Sequence, residues 1–303
     1  MRLFSSWLLF VLAIGGPRAG ADELSVVATV PDLADIARAI GGDRVDVTSI
    51  TKGTMNLHAV PLKPSTLIAV NRADLFLQMG LSLEHAYVPG LLQRAKNARI
   101  QPGKPGFVNC SEGWKPLDVP ESLSRIRGTD LHPLGNPHFN LDPRGGKHIA
   151  DRILEALLRV DPDGADDHRA RHARWSEGYE ASFLRWKELG ERLRGQKVVA
   201  YHRDFTYFLR FHGIELVGTL EAKPGVPPTP NGLLGLINRM QDENVSVILT
   251  ARWSNNKTVR FVAEKTAAVI VEAPIMVGGV PGADTWLTMM DSLHESVAKA
   301  LLE

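Results

Sequence analysis

Apolar and polar positions follow two rhythms along this chain. Leu24-Ser25-Val26-Val27-Ala28-Thr29-Val30 is an apolar, β-branched run that Pro31 ends, as expected of a buried strand. Beyond it Leu33, Ile36, Ala37 and Ile40 recur at helical spacing, with Asp32 placed to cap the helix and Gly41-Gly42 to close it. Residues 45–50 read as a second strand, 64–71 as a short helix, 75–79 as a buried strand and 84–95 as a helix. Several prolines between 102 and 143 predict a loop-rich stretch.

The rhythm changes from Pro162 to Gly195. Trp175, Tyr179, Phe183, Trp186, Leu189 and Leu193 recur every three or four residues in an otherwise charged segment with few breakers, which predicts one long helix with a single apolar stripe. About 30 residues of helix span roughly 45 Å, a length suited to a strut. Strands at 198–201, 214–217, 245–249 and 268–271 then alternate with helices, and a last helix runs over 285–302. Such alternation predicts an α/β chain of two lobes, each a mostly parallel sheet with flanking helices, joined by one long rigid helix. The expected divisions are 1–21, 22–160 for the first lobe, 161–195 for the linking helix and 196–303 for the second lobe.

Residues 1–21 read as a secretory signal. Arg2 precedes an apolar stretch to Ile14, then Gly15-Gly16-Pro17 and Ala19-Gly20-Ala21, so cleavage is expected before Asp22. The one cysteine, Cys110, excludes an intramolecular disulfide and lies too far from the cleavage point to carry a lipid. A soluble periplasmic protein is expected, with Cys110 a small buried apolar residue. A net charge of +1, from 35 Lys and Arg against 34 Asp and Glu, gives no basic surface for a nucleic-acid partner.

Ten histidines carry the chemistry on offer. His58 and His202 each fall just beyond a strand C-terminus, where open parallel sheets hold ligands. His138 sits in the stiff loop Gly135-Asn136-Pro137-His138. Neutral imidazoles suit zinc, copper, iron or nickel and not Ca²⁺ or Mg²⁺. His132 is a rival on the same loop as His138, because Pro133 and Gly135 can bend it that way. His168 and His172, four apart in a charged segment, read as a solvated face.

Three motifs, Asn56-Leu57-His58 with Pro61 and Lys63-Pro64-Ser65, Gly135 to Pro143 (GNPHFNLDP), and Tyr201 to Phe208 (YHRDFTYF), resemble the zinc and manganese receptors of ABC transporters, the cluster A-I solute-binding proteins. The resemblance covers essentially the whole mature chain. It implies a monomeric receptor that performs no chemistry and delivers a metal ion to a membrane permease of an ABC metal importer. It further implies His58, His138 and His202 as metal ligands. Manganese-binding relatives often carry a carboxylate where His202 stands, so histidine there favours Zn²⁺ over Mn²⁺. The family's acidic fourth ligand has no counterpart in the loop from Glu272 to Gly279. Asp284, Glu221 and water are then the candidates, Asp284 also being placed to cap the last helix.

Three metal ligands with an open position also describe a zinc hydrolase. Such an enzyme needs a general base, for which Asp204 and Glu221 are the nearby acids, but neither HExxH nor GxSxG occurs. An unbroken strut further predicts that metal leaves by loop motion and not by wide opening of the lobes.

Overall fold

The computed structural model describes residues 23–57, 60–120, 132–221, 226, 228–254 and 256–303. The expected signal segment and His58 lie outside these residues. The first sheet holds β1 (Leu24–Ala28), β2 (Val45–Ser49), β3 (Leu75–Gln78) and β4 (Phe107–Asn109), in the order β2-β1-β3-β4. The second holds β5 (Lys197–Ala200), β6 (Glu215–Thr219), β7 (Val247–Thr250) and β8 (Val269–Glu272), in the order β6-β5-β7-β8. Among the described residues all six strand pairings are parallel. In each sheet the chain reverses direction about its first strand, which creates a crevice at the strand C-termini. The helices are α1 (Pro31–Gly41), α2 (Pro64–Arg72), α3 (Val88–Ala95), α4 (Gly145–Val160), α5 (Ala165–Leu193), α6 (Thr206–His212), α7 (Pro230–Asp242), α8 (Asn256–Thr266) and α9 (Trp286–Leu302). Among the described residues no helix is long and apolar enough to cross a membrane.

Two lobes with a long helix between them are thus present. α5 has 29 residues and packs on α1 and α4 of the first lobe and on α6 and α9 of the second. Its buried positions Tyr179, Ser182, Trp186, Gly190 and Leu193 keep the three-to-four spacing. β4 and α4 were not expected. β4 has only three residues, too few for a pattern. α4 opens on Gly145-Gly146, poor helix formers that mask the apolar stripe Ile149, Ile153, Ala156 and Leu157.

Gly146 has a packing reason. A Cβ there would lie 2.3–2.5 Å from atoms of the Trp286 ring. Trp286 begins α9 and is fully buried. Its ring meets those of Trp175, Tyr179 and Trp186 on α5 at centroid distances of 6.1, 6.3 and 5.8 Å. Its Nε1 donates to the Asn140 carbonyl at 3.0 Å and its backbone N–H to Asp35 at 2.7 Å. One side chain therefore touches α4, α5 and the loop before α4, while its backbone is tied to α1.

Asp32 does not cap α1 as expected. Val30 holds the N-cap position and Pro31 is the first helical residue. The buried Asp32 carboxylate instead accepts from Asn140 Nδ2 at 3.0 Å and from the Val277 N–H at 3.2 Å. Burial raises its pKa to about 7. The link joins the first lobe to the loop after β8.

His168 also departs from expectation. It is fully buried, with Nε2 2.9 Å from Asp161 and Nδ1 3.3 Å from the Ile40 carbonyl. Arg44 grips the same Asp161 through two hydrogen bonds of 2.6 and 2.7 Å and lowers its pKa to about 2. The charged sequence around His168 concealed a joint between α1 and α5. Cys110 is buried, and burial pushes its thiol pKa up.

His212 and His294 pair inside the second lobe. His294 Nδ1 donates to the Met290 carbonyl at 2.6 Å, so its Nε2 accepts from His212 Nε2, 2.9 Å away. Both rings are neutral in this arrangement. Burial lowers both pKa values, helped by Arg194 at His212 and by His212 at His294. Unfolding lets the rings take protons. Stability from the pair is therefore full above the ordinary value of 6.5 and declines as pH falls below it. The melting temperature of metal-free protein should drop between about pH 7 and 5. A His212→Leu/His294→Leu double variant should show a shallower drop; an unchanged slope would exclude this origin.

Candidate metal centre

His202 lies two residues beyond β5, in extended backbone that opens the 3-10 turn Arg203–Phe205. The turn carries Asp204. His138 comes from the loop before α4 and opens the 3-10 turn Phe139–Leu141. The His138 N–H donates to Asn136 Oδ1 at 3.0 Å. Asn136 Nδ2 in turn donates to the Arg203 carbonyl at 2.9 Å. Tyr207 Oη donates to the Asn136 carbonyl at 2.7 Å and accepts from the Leu117 N–H at 3.0 Å. Asn136 and Tyr207 thus fix the two ligand-bearing loops against each other across the lobes.

The rings of His138 and His202 lie 6.1 Å apart and nearly perpendicular. One ligand atom each from His138, His202 and Asp204 falls within 4.8 Å of the others, and all three residues are buried. Asp204 Oδ1 is 3.4 Å from His138 Nε2. Neither Asp204 oxygen receives a hydrogen bond among the described residues. Burial, then the charge of Glu221, raises its pKa to about 7. Glu221 follows β6, and its carboxylate is 3.7 Å from His202 Nδ1.

A buried carboxylate with unsatisfied oxygens is costly in free energy, and a divalent cation would supply the missing partner. Imidazoles with one carboxylate form a donor set for a borderline-soft divalent metal. The arrangement fits such an ion.

The structure brings His138 and His202 together as the sequence implied. His58 lies outside the described residues. Its loop approaches the second lobe closely: a Cβ on Gly53 would lie 2.1–2.4 Å from backbone atoms of residues 277–279. Asp284 is not in the buried group. It is exposed, and the cap of α9 is Thr285, whose side chain accepts from Thr288 N. Two buried acids lie beside the imidazoles: Glu221, one of the expected candidates, at His202, and Asp204, which sequence reading considered only as a hydrolytic base. Its signal was its position two residues after His202, because a tight turn keeps such neighbours on one side. His132 is also buried, its ring 6.4 Å from that of His138. Burial, followed by the charges of His202 and His85, lowers its pKa to about 4.

A family model described as zinc-uptake complex component A, periplasmic, matches residues 26–300. The manganese ABC transporter substrate-binding lipoprotein PsaA of Streptococcus pneumoniae is 23% identical over 310 residues, which cover 99% of this chain and 97% of that protein. The metal ABC transporter substrate-binding lipoprotein FimA of Streptococcus parasanguinis is 25% identical over 309 residues, with 99% and 97% covered. Among solved structures, the crystal structure of ZnuA gives a TM-score of 0.74 at 21% identity, covering 92% of this chain and 99% of that one. The Mn-bound periplasmic metal binding protein from Candidatus Liberibacter asiaticus gives 0.76 at 21%, covering 92% and 100%. The chain belongs to the zinc-uptake component A family, and it is a substrate-binding receptor of a metal ABC transporter and not an enzyme.

Proposed function

We propose that this receptor captures Zn²⁺ in the periplasm and hands it to its membrane permease, with His58, His138, His202 and Asp204 as ligands. The observation that carries the reading is the buried Asp204 carboxylate, unsatisfied beside two imidazoles. Asp204 takes the part of the acidic ligand absent from the loop after β8, in preference to the exposed Asp284. Glu221 stands behind His202 Nδ1, the place of the outer carboxylate that orients a metal-bound imidazole. Three imidazoles and one carboxylate favour zinc over manganese, which prefers oxygen-rich sites. The ties at Asn136, Asp32 and Trp286 support release by loop motion without rotation of the lobes.

Competitive titration of metal-free protein tests the choice of metal. One zinc should bind per chain, more tightly than manganese by at least about 100-fold if the Irving–Williams order governs the site. Equal or tighter manganese binding would overturn the assignment.

A further inference from the structure

The inner site accounts for His138 and His202 but not for a second pair of imidazoles beside it. His132 is buried beside the inner rings, with its ring edge-on to His138. His85 is exposed on the segment after β3. The backbone of Ser82 neighbours both rings: His85 Nδ1 donates to its carbonyl at 2.9 Å, and His132 bonds to the same residue. Donation from Nδ1 leaves the lone pair on Nε2, as a backbone carbonyl does for metal-bound imidazoles.

The turn that presents Ser82 is unusual. Gly80, Leu81 and Ser82 have φ of 94°, 49° and 66°, three left-handed residues in succession, two of them without glycine's freedom. Strain of this kind persists where the surrounding structure enforces it and gathers at ligand sites. On its outer side lies a cavity of about 360 Å³, open to solvent and lined in part by Ser82, His85, Asn109 and Leu134. The cavity thus opens directly on His85 and on Ser82, the residue to which His132 bonds.

We infer that His85 and His132 form an outer transfer station, at which a divalent transition metal is held on its way between the cavity and the inner site. This rests on the metal-receptor reading of His138, His202 and Asp204. A station that is vacated once the ion moves inward lowers the barrier in both directions and leaves the final affinity alone.

Stopped-flow mixing of zinc with metal-free protein, and of loaded protein with excess chelator, tests this. His85→Ala should slow loading and removal alike by about tenfold, within the range over which association rates vary among variants of one site. The equilibrium dissociation constant should stay within about twofold of wild type, because equal changes in the two rates cancel. His132→Asn, with the same readouts, guards against an effect peculiar to the exposed residue. Unchanged rates in both variants would overturn the station, as would weaker affinity at an unchanged loading rate, which would make either residue a ligand of the final site. Failure of the underlying reading looks different: wild type would bind no zinc, or His202→Ala would bind it as tightly.

Discussion

Replacing His202 with alanine should weaken zinc binding by more than about 100-fold, since loss of an outer-shell partner alone costs roughly 10–100-fold. His138→Ala should do the same. Asp204→Asn separates ligation from folding more sharply. It removes a carboxylate that burial and Glu221 disfavour in the charged form, so metal-free protein should become more stable, while zinc affinity should fall. Calorimetric titration with zinc and thermal melts with and without metal read both quantities. An Asp204→Asn protein that binds zinc as tightly as wild type would remove Asp204 from the ligand set. Untouched affinity in His202→Ala would end the assignment of the site.

Trp286→Ala should destabilise the chain by about 3–5 kcal/mol, as large-to-small changes of buried aromatic residues do. Its surroundings favour that loss. The ring packs over Gly146, where no side chain can move in to fill the space, and against three aromatic rings of α5. Truncation also leaves the Asn140 carbonyl without the Trp286 donor. Urea unfolding followed by circular dichroism measures the change. A loss below about 1 kcal/mol would show that the ring is not a principal tie between the lobes.

The β1, α1 and β2 unit and the 29-residue α5 were legible because their apolar spacing is regular over enough residues. α4 was not, since it opens on two glycines, of which Gly146 makes room for Trp286, a residue about 140 positions away, and Gly145 for the Phe139 carbonyl. His168 misled in the same way: charged neighbours signal a solvated face, and only the tertiary partners Asp161 and Ile40 reveal burial. At the site, the motifs around His138 and His202 exposed two imidazoles to sequence reading. Asp204 was legible as an acid but not as a neighbour of His138, because that contact depends on how Asn136 joins two loops from different lobes. Asp284 was a candidate as an acid further along from the loop of Glu272 to Gly279, but it lies exposed, and Thr285 with Thr288 forms the capping box of α9.

On the proposed release by loop motion, the anchoring of both lobes on α5 leaves a transporter little difference in outline by which to tell a laden receptor from an empty one. The message would then be carried by the rim of the cleft, whose loops would settle once a cation neutralised the acids beneath them. On that reading a permease that discriminates has to press on the rim and not on the backs of the two sheets.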